Sequence, residues 1–192
     1  TLAYPEFDEN LREAMERETH LFIESQVRDD RPVTELLTAD YTFLNERLAT
    51  HYGIPDVYGN HFRRVELEDS TRGGLLGQAS VLSLTSYPTR TSVVLRGRWL
   101  LANILGAPPP APPPDVPALE PADAHGRPRS LRERMERHRT NVVCASCHQR
   151  MDPLGFALER FDGLGKWRTE ADGLLIDASA ELPSGASFEG LP

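Results

Sequence analysis

The stretch SLRERMERHRTNVVCASCHQRMDPLGF, from Ser130 to Phe156, decides how the C-terminal part of this chain is organised. It holds both cysteines of the 192-residue sequence, Cys144 and Cys147, and His148 follows the second cysteine directly. Side chains three residues apart are neighbours on one face of a helix. The pattern therefore predicts that the thiol chemistry of this protein is concentrated in one helical turn.

The residues before the cysteines predict a capped helix. Ser130 and Glu133 form an S-x-x-E capping box, in which each side chain accepts a hydrogen bond from the other residue's backbone N–H. Four residues at helical spacing predict one face of this helix, namely Leu131, Met135, His138 and Val142. We expect the helix to lead straight into the cysteine pair.

The residues from Cys144 to His148 have the C-x-x-C-H pattern of c-type haem attachment. Two thiols on one face of a helical turn can form thioethers with the two vinyl groups of one haem. The adjacent imidazole then faces the iron from the proximal side. The pattern predicts one covalently bound haem c, with Cys144 and Cys147 as attachment residues and His148 as the iron ligand.

Three other kinds of site use similar residues and stay open at this point. A zinc site needs about four ligands, and only Cys144, Cys147 and a histidine lie close together in the sequence. A thioredoxin-like redox pair needs C-x-x-C on a βαβ framework, which the sequence does not predict. A plain disulfide between Cys144 and Cys147 would suit an oxidising compartment.

The N-terminal part of the chain has helical patterns. Asp8 is placed to cap a helix over residues 9–27. The apolar stripe of that helix consists of Leu11, Met15 and Phe22. A second helix is predicted within residues 35–53, ending at Gly53. Its apolar positions are Tyr41, Leu44, Leu48 and Tyr52.

Further elements are predicted between this region and the cysteines. HFRRVELED, residues 61–69, alternates like a strand, and residues 92–106 are typical of a buried helix that begins near Ser92 and ends at Gly106. Eight prolines between Pro108 and Pro121 predict an extended, polyproline-like spacer.

After the cysteine region, EADGLLIDASAELPSG predicts a short hairpin with Asp172 and Gly173 at its turn. The predicted fold class is mainly α. It comprises an N-terminal helical domain over residues 1–106, a Pro-rich linker over 107–122 and a cytochrome c-like haem-binding segment over 123–192. Both ends look cut, so we expect a longer protein.

The haem-attachment region resembles a known family. RERMERHRTNVVCASCHQRMDPLGFALERFDGLGKWR, residues 132–168, is similar to the haem-bearing segment of large planctomycete-type cytochrome proteins with consecutive domains of unknown function 1592, 1588 and 1585. Residues 37–55 and 72–120 are also similar to that family. The resemblance implies a c-type cytochrome-like segment in an exported protein, with Cys144, Cys147 and His148 at the haem-attachment positions. It includes the MDPLGFALERFD run without assigning that run a role.

A six-coordinate haem needs a second axial ligand, commonly methionine or histidine. The three methionines are Met15, Met135 and Met151. Met151 lies three residues after His148 on the same helical face, so we expect it to pack in the core, and the distal ligand stays unassigned. Four arginines are candidates to pair with the haem propionates: Arg139, Arg150, Arg160 and Arg168. Phe161 and Trp167 are candidates for the haem edge or for the core.

Composition restricts the function further. The formal net charge of −8 disfavours nucleic-acid binding, and no apolar run reaches the length of a membrane span. The sequence predicts an electron-transfer module of a larger exported, periplasmic-type protein with an unknown redox partner. One alternative is a peroxidase-like enzyme with an open sixth position. Another is a non-haem interaction or scaffold module with a Cys144–Cys147 disulfide.

Overall fold

A computed structural model of the chain describes residues 3–68, 71–112, 119, 125–127 and 129–191. The chain forms two compact units. Unit 1 comprises Thr1–Thr91, Phe161–Trp167 and Leu191–Pro192, and unit 2 comprises Ser92–Arg160 and Arg168–Gly190.

Compact units and sequence domains are different kinds of division, so the predicted domain boundaries stay a prediction. Within the predicted linker, residues 107–112 form neither helix nor strand. The rest of the linker, apart from Leu119, lies outside the described residues.

Unit 1 is built from short elements around one long helix. They are α1 (Glu9–Arg28), α2 (Glu35–Thr38), β1 (Tyr41–Leu44), α3 (Glu46–Tyr52), β2 (Arg63–Glu66), a 3₁₀ helix (Leu75–Gly77) and α4 (Ala79–Leu84). Its main core cluster consists of Leu11, Ala14, Met15, Leu44, Leu48, Ala49, Val57, Ala79 and Leu164.

The predicted first helix is confirmed. Asp8 accepts a hydrogen bond from the Leu11 backbone N–H at 2.8 Å, so α1 begins where the sequence indicates. The predicted apolar stripe is buried at Leu11, Met15 and Phe22. An apolar stripe on a capped helix is a local signal, and this signal alone predicts α1.

The predicted second helix is wrong in its middle part, between α2 and α3. Residues Tyr41–Leu44 form strand β1, which pairs antiparallel with β2 in the register Tyr41↔Glu66. The aromatic and β-branched residues of YTFL suit a pleated strand. Asn45 then caps α3 by accepting a hydrogen bond from the Leu48 N–H at 3.0 Å, which separates strand from helix. The strand predicted in residues 61–69 is confirmed as β2.

Unit 2 contains the cysteine region. Its elements are α5 (Val93–Asn103), α6 (Leu131–His138), α7 (Val142–Phe156), β3 (Glu170–Ala171), β4 (Leu174–Leu175), β5 (Ser179–Glu181) and β6 (Ser187–Glu189). Ser92 caps α5, and Ser130 forms the predicted capping box with Glu133 at the start of α6. One apolar cluster of this unit joins Val93, Met135 and Phe156.

Two hairpins follow α7. β3 and β4 pair through Asp172 and Gly173, whose φ values are 54° and 74°. Two successive residues with positive φ are typical of the tight hairpin turn predicted there. β5 and β6 form a second antiparallel hairpin that the sequence did not indicate.

The predicted class "mainly α" needs correction. The described residues contain seven α-helices together with three two-stranded antiparallel sheets, so the fold is mixed α and β. Among these residues, no helix has the length and apolar character that crossing a membrane requires.

Helices α5 and α7 approach each other at two glycines. A Cβ atom on Gly97 of α5 would lie 2.8 Å from the carbonyl carbon of Met151 on α7 and closer still to its oxygen. A Cβ atom on Gly155 of α7 would lie 2.7 Å from the carbonyl carbon of Val93 on α5. Because each glycine faces the backbone of the other helix, the close contact depends on both.

A carboxyl group is fully buried in unit 1. Glu18 on α1 accepts hydrogen bonds from the hydroxyls of Thr42 and Tyr52, each at 2.6 Å. Its removal from water raises its pKa to about 7, although the two hydroxyls and the Arg72 guanidinium act in the opposite direction. Glu18 thus links α1 to β1 and α3 and holds its proton close to neutral pH.

Stability is expected to fall as this proton is lost. Below the ordinary Glu pKa of 4.5 both states are protonated, and between 4.5 and about 7 only folded Glu18 keeps its proton. Raising the pH through this window should destabilise the wild-type chain relative to Glu18→Gln by roughly 3 kcal/mol. Urea unfolding at a series of pH values measures this difference. Glu13→Gln, at an exposed position of α1, is the control, and parallel profiles for wild type and Glu18→Gln would contradict the prediction.

Candidate haem-attachment site

A separate helix carries the cysteine pair. α6 ends at His138, and Asn141 begins α7 by accepting a hydrogen bond from the Val143 N–H at 2.9 Å. The expectation of one uninterrupted helix from Leu131 to the cysteines is therefore wrong. The Asn141 side chain replaces the helical carbonyl as the partner of that N–H, so a new helix begins.

The two thiols lie at the start of α7. Cys144 is the third residue of the helix, and Cys147 follows at the spacing that places both on one face. Both are free and partly exposed. Ser146, between them, is exposed and has its Oγ 3.9 Å from the Cys147 Sγ. The pair can therefore form two bonds to one rigid partner on the same side of the helix.

Two large apolar side chains are exposed beside the first thiol. Val142 is 82% exposed and Val143 is 65% exposed. The sequence predicts Val142 on one helix face with Leu131, Met135 and His138, but the break at Asn141 puts Val142 in a separate helix. Exposed apolar surface next to partly exposed thiols is surface that an apolar ligand can cover.

His148 is held by a carboxylate one helical turn away. Its Nδ1 lies 2.8 Å from Oδ1 of Asp152, which is fully buried. The His148 side chain itself is 15% exposed. Because Nδ1 is engaged, Nε2 is the ring nitrogen left to bind a metal.

A second imidazole lies against the first. The rings of His138 and His148 have centroids 5.0 Å apart and planes at 74°. Partial burial lowers the pKa of His138, the neighbouring His148 lowers it further, and Asp152 opposes both effects. The neutral form of His138 is therefore favoured beside the candidate ligand.

The arginines proposed for the propionates have protein partners in three of four cases. Arg139 Nε lies 3.8 Å from Asp152 Oδ2, and Arg160 pairs with Glu189 at 2.8 Å. The Arg168 side chain donates to the Glu159 carbonyl at 3.2 Å. Arg150 is exposed on α7. Of these four arginines, only Arg139 contacts Asp152, the residue that holds His148. The contacts of Arg139, Arg160 and Arg168 form without a ligand.

The methionines and aromatic candidates are packing residues. Met135 and Met151 are buried in unit 2, and Met15 is buried in unit 1. Phe161 and Trp167 form an edge-to-face pair in unit 1, with ring centroids 5.3 Å apart. The expectation that Met151 packs in the core agrees with its 5% exposure.

No three His, Cys, Asp or Glu side chains are grouped to hold a metal ion among the residues that the structure describes. Cys144, Cys147 and His148 are neighbours in sequence but do not form such a ligand cluster. The described geometry offers two free thiols and one imidazole in the first half of α7.

Two family models match this chain. A family model described as a protein of unknown function, DUF1588, matches residues 72–171, more than half of the 192 residues. The chain belongs to the DUF1588 family. A second model, described as a protein of unknown function, DUF1592, matches residues 1–54. Neither a curated protein nor a solved structure matches the chain.

The two matches confirm the resemblance predicted from the sequence, with DUF1592 preceding DUF1588. The DUF1588 match includes the whole of α7, with both cysteines, His148 and Asp152. It also includes α5, whose Gly97 lies against α7.

Sequence reasoning did not assign Asp152 or the two glycines. The spacing of His148 and Asp152 is a local signal, since residues four apart on a helix are neighbours. The burial of Asp152 depends on the packed chain and the contact of Gly97 with Met151 depends on α5, and nothing in α7 alone indicates either feature.

Proposed function

We propose that this DUF1588 chain binds one haem c covalently and serves as an electron-transfer module of a larger exported protein. Cys144 and Cys147 form the thioethers, and His148 is the proximal ligand through Nε2. When bound, the haem iron supplies one-electron chemistry by alternating between the ferric and ferrous states.

One observation carries the proposal. Two free thiols occupy one face of α7, and the next residue, His148, is a histidine whose Nδ1 is already held at 2.8 Å by Asp152. A metal-binding histidine commonly donates its second ring N–H to a carboxylate in this way. The exposed Val142 and Val143 add apolar surface beside the thiols, as an apolar macrocycle requires.

The compartment and partner follow from the same chemistry. Thioethers to haem form where the unfolded apoprotein meets exported haem, which in bacteria is the periplasmic face of the inner membrane. We therefore propose a periplasmic or otherwise exported location. The partner is a redox protein or small carrier of unknown identity.

Covalent haem is the direct test. The chain is expressed with an export leader in a strain that has a cytochrome c maturation system, purified, denatured and extracted with acidified organic solvent. The haem absorbance should stay with the polypeptide, in a ratio of about one haem per chain. Haem that leaves with the solvent, or a chain without haem, would refute the proposal.

The state of the sixth coordination position separates electron transfer from the peroxidase-like alternative. The His148–Asp152 contact gives the alternative some support, because a carboxylate partner makes the proximal imidazole a stronger donor. For an electron-transfer site, we expect the reduced spectrum of the haem-loaded chain to be that of six-coordinate iron and to change little with cyanide. A five-coordinate spectrum with rapid cyanide binding would favour the enzyme.

A further inference from the structure

The strongest feature that the proposed function does not explain is the burial of Asp152. Its side chain is 0% exposed, and its Oδ1 is the atom that holds His148 Nδ1. Among the residues that the structure describes, its Oδ2 has no hydrogen-bond partner, and the Arg139 Nε lies 3.8 Å away, beyond hydrogen-bond distance. A buried carboxylate with one oxygen unsatisfied is costly for stability, so a purely structural role explains it poorly.

We propose that Asp152 is a positioning residue that fixes the tautomer and orientation of His148 and strengthens Nε2 as a donor to the haem iron. This inference rests on the proposed function. The carboxylate accepts the Nδ1–H, which leaves the lone pair on Nε2, the nitrogen that faces a metal. A negatively charged partner also makes the imidazole more electron-donating than a neutral carbonyl does.

Two contacts between α5 and α7 flank Asp152, one before it in the sequence and one after it. Met151, the preceding residue, has its carbonyl against Gly97 of α5. Gly155, one turn after Met151, lies against the carbonyl of Val93. The segment of α7 that carries Asp152 is therefore fixed by backbone contacts, whereas the cysteines lie at the exposed start of the same helix.

A stronger donor stabilises the ferric state relative to the ferrous state, because the ferric iron carries the larger positive charge. Asp152 is therefore expected to lower the reduction potential of the haem. The positive charge of Arg139, which lies near Oδ2, partly offsets the negative charge of the Asp152 carboxylate. A neutral partner of Nδ1, such as a backbone carbonyl, would not lower the potential in this way.

The test is the haem-loaded chain with Asp152→Asn, which keeps the size of the side chain and a neutral acceptor. Covalent haem per chain should be unchanged, since the thioethers do not involve Asp152. Spectroelectrochemical titration should show a higher potential, with at least a tenfold change in the ferric-to-ferrous ratio at a fixed electrode potential, about 59 mV for one electron. An unchanged potential would overturn the inference and leave the haem proposal intact.

Two comparisons separate positioning from a general loss of charge. Glu159→Gln alters another buried carboxyl of unit 2, whose charged neighbours include Arg168, Arg132 and Arg96, and the haem potential of this variant should stay close to wild type. Asp152→Glu keeps the charge and should recover at least part of the wild-type potential. An equal shift in Glu159→Gln and Asp152→Asn would overturn the inference.

A measurement on the haem-free wild-type chain covers the case in which Asp152→Asn does not fold. At alkaline pH, the ¹⁵N chemical shifts of His148 should show the proton on Nδ1. A proton on Nε2 would overturn the inference. A wild-type chain that takes up no covalent haem overturns the proposed function and the inference together. A chain that takes up covalent haem, but whose haem-free form carries the His148 proton on Nε2, overturns only the inference.

Discussion

Replacing both Cys144 and Cys147 with alanine is expected to abolish all haem that survives denaturation. The two side chains are the only cysteines of the sequence, so no other thiol can form a thioether. Their position on one face of α7 fits the proposed attachment of a single haem. The measurement is haem absorbance per chain after denaturation and extraction, compared with the wild-type chain expressed in parallel.

The controls for this experiment lie in the same turn. Ser146→Ala changes an exposed residue between the cysteines and should leave the covalent haem at the wild-type level. His148→Ala keeps both thiols, so some haem should stay attached while its spectrum changes strongly. Undiminished covalent haem in the double cysteine variant would show that the attachment lies elsewhere.

The second large effect is expected where α5 and α7 meet. Gly97→Ala places a methyl group against the Met151 carbonyl, and Gly155→Ala places one against the Val93 carbonyl. Neither backbone can move aside without separating the helices, so we expect each variant to lose about 3 kcal/mol of stability. In the variant with both substitutions, unit 2 should not fold. Alanine ordinarily favours a helix by about 1 kcal/mol over glycine, so the expected sign is opposite to helix propensity.

Trp99 reports this loss, because it lies on α5. The sequence has two tryptophans, and a Trp167→Phe background leaves Trp99 as the single tryptophan whose fluorescence is followed during urea unfolding. Arg98→Ala, at the exposed neighbour of Gly97, is the matched control and should stay within about 0.5 kcal/mol of its background. Equal or greater stability of Gly97→Ala would mean that the two helices do not approach as closely as this structure shows.

The candidate site depends on the cysteine pair and on the contact between α5 and α7. The exposed start of α7 offers Cys144 and Cys147, and the buried second half of α7 holds Asp152 against His148. A loss of α5–α7 packing should therefore disturb the ligand geometry even though the glycines contact neither the thiols nor the imidazole. This dependence distinguishes a scaffold for one haem from a simple pair of surface thiols.

Local chemistry in the sequence was sufficient for several features. Asp8, Ser92 and Ser130 mark helix starts because a side-chain oxygen can accept a free backbone N–H within three residues. Asp172 and Gly173 mark a hairpin because both can adopt positive φ. The C-x-x-C-H pattern needs only the geometry of one helical turn.

Other features depend on residues that are distant in sequence. The apolar positions of Tyr41–Leu44 fit a helix as well as a strand, and pairing with β2 about 20 residues later decides between them. The burial of Glu18 needs Thr42 and Tyr52, which no pattern within α1 indicates. In the same way, Asp152 is four residues from His148 on any helix, but α7 alone does not indicate that its side chain is fully buried. Burial is a property of the packed chain and not of the residue, and α7 packs closely against α5 at Gly97 and Gly155.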